Sequence, residues 1–366
     1  MKKIKLFLKD RSYDIIIGYG IMKEAGRLLK KMRAGDSAVV ISNKTVCGLY
    51  ENPLRKSLRK AGLSVHFELV PDSEKAKSFD VLKGLLNRIS RRDKGESTFI
   101  VAFGGGVTGD LAGFAAAIYK RGIPYIQVPT TLLAQVDSAI GGKVAVDLPV
   151  AKNLAGAFWQ PRIVLADTSL IESLSGRQMR NGLAEIVKCA VIKDRALFEY
   201  LESNYRRVLD RDRSALEFVI SRAAGIKARL IERDEFDTKG IRAILNYGHT
   251  IGHAIEAASG YSKKYNHGEA VAIGMAIAGR ISSKLGLLPS SDSKRIERLI
   301  YRCGLPVCVK GIGLAKVYEA HLHDKKFIHG KNRFVLPSGI GKARVVANIP
   351  DNVIKNTIRE CYEPLT

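Results

Sequence analysis

The pattern that decides the fold is a β-rich run that passes through a glycine-rich turn into a helix of small residues. It reads Thr98-Phe-Ile-Val-Ala-Phe103, then Gly104-Gly-Gly-Val-Thr-Gly-Asp110, then Leu111-Ala-Gly-Phe-Ala-Ala-Ala-Ile118. Glycines let the backbone approach a ligand closely, and a helix N-terminus offers free N–H groups and the positive end of the helix dipole. The turn departs from the usual G-x-G-x-x-G spacing, so this motif alone leaves both a pyrophosphate cradle and a plain tight turn open.

The segments around this turn alternate between strands and helices. Helical apolar spacing marks 23–31, 54–61 and 80–91. Short β-rich runs predict strands at 13–17, 38–42, 65–70, 98–103, 125–128 and 163–166. The alternation predicts a parallel sheet, in which ligands bind beyond the carboxyl ends of the strands. Two polar segments, 71–77 and 128–133, directly follow predicted strands. Their position favours nucleotide binding at the glycine-rich turn.

The pattern changes after Asp167. Long helical segments follow at 174–193 and 195–233, with few strand signals before 334–336. We therefore predict an α/β domain at 1–174 and a mainly α-helical domain at 175–366.

Three of the chain's seven histidines lie within nineteen residues. Two are in Asn246-Tyr-Gly-His249-Thr-Ile-Gly-His253-Ala-Ile-Glu256, and the third begins His267-Gly-Glu269. His249 and His253 are four residues apart, so on a helix they share one face. Three nitrogen or oxygen ligands with an open position are typical of a catalytic metal, although histidines also cap helices or fill cores. Taken alone, the spacing predicts a metal site formed by His249, His253 and His267.

Composition indicates a folded protein with sizeable cores: the chain has 366 residues, of which 46% are hydrophobic. No apolar run is long enough for a membrane span, and the N-terminus has charge without an apolar signal core. Five cysteines without a C-x-x-C pair are typical of reduced thiols. We expect a cytoplasmic protein without a membrane partner.

The net charge of +24 permits a nucleic acid, an anionic surface or an acidic small substrate as partner. Most basic residues form short groups on polar helix faces, such as Arg55-Lys56, without interleaved aromatic residues. This distribution favours solvated helix faces, and we expect no nucleic-acid partner. Lys143 and Lys152 differ because they lie in otherwise apolar, glycine-rich sequence, where they suit anionic ligand groups.

With these motifs assembled, the chain closely resembles the 3-dehydroquinate synthase family of sugar phosphate cyclases. The resemblance runs from Asn43 to about Lys342. It rests on motifs in the expected order: Gly104 to Asp110, Tyr119-Lys-Arg121-Gly122, Pro129-Thr-Thr-Leu-Leu133, Gln135 to Lys143, Lys152-Asn153, Gly182-Leu-Ala-Glu185-Ile-Val-Lys188, Leu245 to Glu256, His267-Gly-Glu269 and Asp324-Lys325-Lys326.

The resemblance implies a Rossmann-like domain that binds NAD+, a helical domain that binds Zn2+ or Co2+, and substrate between them. It also implies a homodimer. The family's metal ligands match Glu185, His249 and His267, so His253 becomes a substrate-facing imidazole rather than a ligand. Glu185 suits this role chemically, because a carboxylate in an apolar helix would otherwise be a costly buried charge.

The remaining site residues are also carried over from the resemblance. The NAD+ contacts fall on Asn43, Glu74, Lys77, Gly105, Gly106, Val107, Asp110, Thr130, Thr131, Leu133, Asp137, Ser138, Lys152 and Ser173. The substrate contacts fall on Arg121, Asp137, Lys143, Asn153, Lys188, Lys227, Arg242, Asn246 and His253, with Lys325 or Lys326 near the end.

The activity that the resemblance implies is phosphate elimination and ring closure in the shikimate pathway to chorismate and aromatic amino acids. The substrate is 3-deoxy-D-arabino-heptulosonate 7-phosphate, and NAD+ is reduced and reoxidised within one turnover. Cyclases of the valiolone type are the nearest alternative, but they tend to change the positions that match Arg121, Lys227 and Asn246. A metal-dependent polyol dehydrogenase would not explain the lysines at 143, 152 and 188.

The chain departs from the family pattern in one segment. The usual Gly-Gly-Lys-Thr-Gly-Val-Asn reads Gly141-Gly-Lys-Val-Ala-Val-Asp147, and the usual glycine before Lys152 is Ala151. We expect the hydrogen bonding or backbone path of this segment to differ from the family's, while the metal ligands are unaffected.

Overall fold

The computed structural model describes residues 1–95, 97–149, 151–260, 264–322 and 332–362. The strands within these ranges are β1 (Lys2–Leu6), β2 (Tyr13–Gly18), β3 (Ser37–Ser42), β4 (Ser64–Leu69), β5 (Thr98–Gly104), β6 (Tyr125–Pro129), β7 (Lys143–Leu148), β8 (Ala151–Phe158), β9 (Ile163–Asp167), β10 (Arg333–Gly339) and β11 (Lys342–Ala347). The α-helices are α1 (Ala25–Lys31), α2 (Lys44–Lys60), α3 (Phe79–Arg92), α4 (Gly106–Ile118), α5 (Gly176–Lys193), α6 (Arg195–Leu209), α7 (Arg213–Arg233), α8 (His249–Ala258), α9 (His267–Lys284), α10 (Ser290–Arg302), α11 (Leu314–Leu322) and α12 (Asp351–Glu360).

The chain divides into two compact units, Met1–Leu174 with Leu216–Phe236, and Ser175–Ala215 with Asp237–Thr366. The sequence analysis assigned 216–236 to the second domain, whereas the structure groups this segment with the first unit. The N-terminal strand region helps to hold it there, because the Phe7 N–H donates to Glu232 Oε1 at 2.8 Å. Helical spacing shows that a segment has an apolar face but not which core receives it.

The first unit contains a seven-stranded sheet in the order β1-β2-β9-β6-β5-β3-β4. β1 is antiparallel to β2, and the other neighbours are parallel. This confirms the predicted α/β class, and each of the six predicted strands is present. β1 was not predicted because three of its five residues are lysines. Lysines are common on edge strands, where they discourage pairing with other chains.

Helices cover both faces of this sheet, and residues of the buried strands alternate between them. Val40 of β3 packs with Leu58 of α2 in one apolar cluster, while Val39 packs with Leu111 of α4 in the other. The chain leaves β3 through α2 toward β4, and it leaves β5 through α4 toward β6 on the opposite side. The carboxyl ends of β3 and β5 are therefore a topological switch point, where open α/β sheets bind ligands.

The segment that departs from the family pattern forms a hairpin, in which β7 pairs antiparallel with β8. Val144 is buried, and its side chain lies over Gly113 of α4, where a Cβ on the glycine would come within 2.4 Å of Val144 Cγ1. An apolar residue therefore suits position 144, and the altered segment forms a strand whose pairing with β8 shifts register between Val146 and Leu148.

The second unit is mainly helical and centres on α9. Thirteen of the eighteen residues of α9 are buried, beneath α5, α8, α10, α12 and the hairpin formed by β10 and β11. The predicted strand at 334–336 lies in β10. No helix in the described part of the chain is long and apolar enough to cross a membrane. All five cysteines are free thiols.

Candidate active site

A cluster of one carboxylate and two imidazoles lies in the second unit. Glu185 Oε1 is 3.7 Å from His249 Nε2 and 3.7 Å from His267 Nε2. One potential ligand atom from each residue lies within 4.8 Å of the other two. Among the described residues, Glu185, His249 and His267 form the one group of at least three His, Cys, Asp or Glu side chains that could hold a metal ion.

Three helices bring these residues together. Glu185 is in the buried middle of α5, and the two histidines are the first residues of α8 and α9. The start of α9 is fixed by a capping box, in which Asn266 and Glu269 exchange side-chain and backbone hydrogen bonds. Arg177 of α5 holds the same Glu269 through two bonds of 2.8 and 2.6 Å. This pairing ties the start of α9 to the helix that carries Glu185.

Close approach of α8 and α9 places His249. Gly248 precedes α8 with a φ of +79°, a left-handed conformation that strains other residues. A Cβ added to Gly274 of α9 would come within 1.9 Å of the Gly248 carbonyl oxygen. The two helices can therefore pack this closely only because residue 274 has no side chain.

Gly274→Ala is expected to separate α8 from α9, displacing His249 and lowering the free energy of unfolding by about 1–3 kcal/mol. The matched control is Gly279→Ala on the same helix, where the new methyl would lie 3.5 Å from Ser293 Oγ, an ordinary contact. That variant should gain about 0.5–1 kcal/mol, because alanine favours a helix interior over glycine. Chemical denaturation measures both changes, and equal stability of the two variants would contradict the packing argument.

The donor set fits a divalent metal ion. His249 Nδ1 lies 3.1 Å from the Tyr247 carbonyl oxygen, and His267 Nδ1 lies 3.3 Å from Glu256 Oε2. These contacts orient both rings with Nε2 toward Glu185, as outer partners of metal-bound histidines do. Within the described chain, neither buried Glu185 oxygen accepts a hydrogen bond, although Lys188 forms an ion pair with Oε2. Two nitrogens, one carboxylate and an open position match a catalytic zinc-type site.

The electrostatics favour the ligating forms of Glu185 and His249. Burial would raise the pKa of Glu185, but Lys188 and the two imidazoles outweigh burial and hold that pKa well below its usual value. Burial lowers the pKa of His249 well below its usual value. Burial would also lower the pKa of His267, but Glu185 and Glu256 outweigh it and raise the pKa to about 10. The surrounding charges and burial therefore favour the carboxylate form of Glu185 and the neutral form of His249, which are the forms that bind metals.

His253 is not part of this cluster, which corrects the ligand set that histidine spacing alone predicts. It is exposed, and its ring centroid lies 5.4 Å from that of His249. Sequence spacing missed Glu256, which orients His267. A signal was present, since Glu256 follows His253 by three residues on the same helix face.

The predicted nucleotide-binding residues of the first unit follow the carboxyl ends of strands around the switch point. Asn43 follows β3, Glu74 and Lys77 follow β4, Gly105, Gly106, Val107 and Asp110 follow β5, Thr130, Thr131, Leu133, Asp137 and Ser138 follow β6, and Ser173 follows β9. Added Cβ atoms on Gly105 and Gly106 would lie 3.2 Å from Thr131 Cγ2 and 2.9 Å from Ser138 Oγ. The turn is therefore bare backbone at the start of α4, as a pyrophosphate cradle requires.

Lys77 connects this cradle to the β7–β8 hairpin. Its buried ammonium lies 2.7 Å from Asp110 Oδ2, and it donates to Asn153 Oδ1. Asn153 has a φ of +56°, and its N–H donates to Asp147 Oδ1 at 2.8 Å. Burial raises the pKa of Asp110 to about 6 despite Lys77, while the surrounding carboxylates outweigh burial and raise that of Lys77. Lys77 and Asp147 thus fix both the backbone and the side chain of Asn153, which the sequence analysis did not anticipate.

Lys227 belongs to the same unit and is paired with Asp137. Its buried ammonium donates to the Asp137 carbonyl oxygen at 2.7 Å and to Oδ1 at 2.5 Å. Lys152 on β8 lies 3.6 Å from Glu74 Oε1, and Lys143 at the start of β7 lies over the Phe158 ring. The three predicted lysines therefore lie around the carboxyl ends of the strands and the adjoining hairpin.

The other predicted substrate residues are placed differently. Arg242 and Asn246 lie in a 3-10 helix, Ile241–Asn246, that packs against α5. Arg121 follows α4 with a φ of +65° and precedes the amino end of β6, whereas Gly105 follows the carboxyl end of the neighbouring strand β5. The structure therefore does not bring Arg121 together with the cradle of its own chain. Lys325 and Lys326 lie outside the described residues.

Two family models match consecutive parts of the chain. The model for the 3-dehydroquinate synthase N-terminal domain matches residues 68–181, and the model for the C-terminal domain matches residues 182–327. Together they cover both the glycine-rich cradle and the Glu185, His249 and His267 cluster.

Solved structures with the same fold include two sugar phosphate cyclases. The chain is 29% identical to a 2-deoxy-scyllo-inosose synthase complexed with carbaglucose-6-phosphate, NAD+ and Co2+, over 98% of this chain and 100% of that one, with a TM-score of 0.89. It is 27% identical to the 2-epi-5-epi-valiolone synthase of Streptomyces hygroscopicus subsp. jinggangensis 5008 with NAD+ and Zn2+ bound, over 97% and 98% of the two chains, with a TM-score of 0.87. Glycerol dehydrogenase from Schizosaccharomyces pombe shares the fold at 20% identity, over 95% and 88% of the chains, with a TM-score of 0.68.

Proposed function

Because this chain belongs to the 3-dehydroquinate synthase family of sugar phosphate cyclases, we propose that it is a 3-dehydroquinate synthase. Its substrate is then 3-deoxy-D-arabino-heptulosonate 7-phosphate, and its products are 3-dehydroquinate and phosphate. We include NAD+, Zn2+ or Co2+, a homodimer and a cytoplasmic location in the proposal. This activity would place the enzyme, a carbon–oxygen lyase, in the shikimate pathway.

The observation that carries the specific proposal is the set of buried cations. Lys188, Lys227 and Arg242 are 2%, 7% and 5% exposed. Glu185 accompanies Lys188 and Asp137 accompanies Lys227, and a concentration of buried cations of this kind suits an anionic ligand. A substrate with both a carboxylate and a phosphate supplies two anionic groups, whereas a sugar phosphate without a carboxylate supplies only one. The family resemblance also implies that cyclases of the valiolone type tend to change the positions that match Arg121, Lys227 and Asn246, which keep the dehydroquinate-type residues in this chain.

The chain's own residues have separable roles in this reaction. Glu185, His249 and His267 would hold the divalent cation, which supplies Lewis acidity toward a hydroxyl or ketone oxygen when bound. The backbone of Gly105 and Gly106 would hold the pyrophosphate of NAD+, which supplies a reversible hydride acceptor. Lys143, Asn153, Asn246 and His253 would bind the substrate phosphate, and Lys227 and Arg242 would bind the carboxylate or the opposite end.

Asp147 gives a test of how Asn153 is positioned. Asp147→Ala removes the acceptor for the Asn153 N–H and should raise KM for the sugar phosphate about tenfold with little change in kcat, because Asn153 would bind the phosphate in ground and transition states alike. Asp147→Asn keeps an acceptor oxygen and should behave like the unaltered enzyme. Steady-state phosphate release distinguishes the two, and equal KM values for both variants would contradict this role.

A second candidate is a valiolone-type cyclase, favoured by the close structural similarity to 2-epi-5-epi-valiolone synthase. The deciding experiment measures phosphate release from three substrates separately: 3-deoxy-D-arabino-heptulosonate 7-phosphate, sedoheptulose 7-phosphate and glucose 6-phosphate. NAD+- and metal-dependent release from the first alone supports the proposal. Release from sedoheptulose 7-phosphate alone would replace it with the second candidate.

A further inference from the structure

A basic cavity lies in the helical unit, between the C-terminal end of α9 and one face of α10. It has a volume of about 640 Å³, within the range of small-molecule sites. Its cations are Arg280 and Lys284 from α9 and Lys294 and Arg298 from α10. Along α9, Arg280 is thirteen residues from His267, about 20 Å at 1.5 Å per residue. The cavity is therefore separate from the candidate metal cluster.

The charges of this cavity do not cancel. Arg280 donates to both oxygens of Glu297, and Lys284 Nζ lies 2.7 Å from Glu360 Oε1. Both lining carboxylates are thus matched by a cation from α9. Neither Lys294 nor Arg298 forms an ion pair within the described ranges. They are exposed, four residues apart on α10 and on one face, so the rim of the cavity has two positive charges without a carboxylate partner among the described residues.

A buried hydroxyl also faces this cavity. Ser293 is 7% exposed and lines the cavity, and its Oγ has no hydrogen-bond partner among the described residues. Ser293 lies in the first turn of α10, a thirteen-residue helix whose N-terminus attracts anions. Asp292 in the same turn opposes this attraction, but Arg295 lies 3.6 Å from its carboxylate. Because the Ser293 hydroxyl faces the cavity, it can donate a hydrogen bond to an oxygen of a bound ligand.

We infer that this cavity is a binding site for a small phosphorylated metabolite. A phosphate monoester has a charge of about −1.5 to −2 at neutral pH and three acceptor oxygens. It matches the two cations at the rim in charge, and the Ser293 hydroxyl and Ser290 in the same turn supply hydrogen-bond donors. The cavity volume exceeds that of a phosphate ion, and the exposed ring of Tyr301 at its edge can cover an attached organic group.

The test is calorimetric titration of the full-length protein, with NAD+ and Zn2+ present, using inorganic phosphate as the probe. The unaltered protein should bind one more phosphate per chain than the double variant Lys294→Ala/Arg298→Ala. Ser293→Ala should weaken that additional site about tenfold. Arg302→Ala, an exposed arginine of α10 outside the cavity, is the matched control and should bind as the unaltered protein does.

Sugar-phosphate turnover provides an independent readout, because the double variant leaves the candidate active site intact. The inference predicts unchanged turnover in that variant together with loss of one phosphate site. It would be overturned by equal phosphate stoichiometry and affinity in the double variant and the unaltered protein. Loss of the additional site in a protein that does not turn over the proposed substrate would instead reject only the proposed function.

Discussion

Glu185→Gln is expected to remove the bound metal and to reduce turnover on the order of 10³-fold. Glutamine keeps the size of the side chain but loses the charge that ligates a divalent cation. Lewis acidity supplies several kcal/mol of transition-state stabilisation, which corresponds to this factor in rate. Elemental analysis of the purified variant measures metal content independently of activity.

Two further variants separate ligation from folding. Glu256→Gln changes the partner of His267 rather than a ligand, so metal affinity should fall only about 10–100-fold. Glu199→Gln, in an exposed ion pair with Arg195 on α6, should retain full metal content. Removing the Glu185 charge also leaves Lys188 buried without its ion-pair partner, so the melting temperature must be measured in parallel. Normal metal content in a folded Glu185→Gln protein would contradict the ligand assignment.

Gly106→Val is expected to weaken NAD+ binding at least about 100-fold without changing metal content. Gly106 is the first residue of α4, and even a Cβ there would come within 2.9 Å of Ser138 Oγ. The larger side chain would occupy the space next to the free N–H groups, and losing two charge-assisted hydrogen bonds accounts for the expected factor. Equilibrium titration with NAD+ measures the change.

The matched control for this variant is Gly48→Val. Gly48 lies within α2, and a Cβ there would meet no atom within 4 Å, so NAD+ affinity should be unchanged. Equal affinity of the Gly106→Val and Gly48→Val proteins would show that the glycine-rich turn is not the pyrophosphate cradle.

The sequence predicted the sheet because its central strands are buried on both faces and therefore appear as short apolar runs. It did not predict the hairpin of β7 and β8, in which Val144 and Val146 are buried. Local spacing cannot show that a strand packs over Gly113 of a preceding helix.

The same limit applies to the metal cluster. Local spacing pairs His249 with His253 because they share a helix face. Glu185, which replaces His253 in the cluster, comes from a helix far upstream, so only the family resemblance indicated it. The positioning contacts of Asn153 with Lys77 and Asp147 likewise depend on tertiary structure.

The central claim is tested most directly by one assay: phosphate release from 3-deoxy-D-arabino-heptulosonate 7-phosphate by metal-loaded protein supplied with one equivalent of NAD+ per chain. The proposed reaction reoxidises its own NADH, so many phosphates should be released per NAD+ without a rise in absorbance from NADH. Release that stops after one turnover as NADH accumulates, or no release from this substrate, would contradict the proposal.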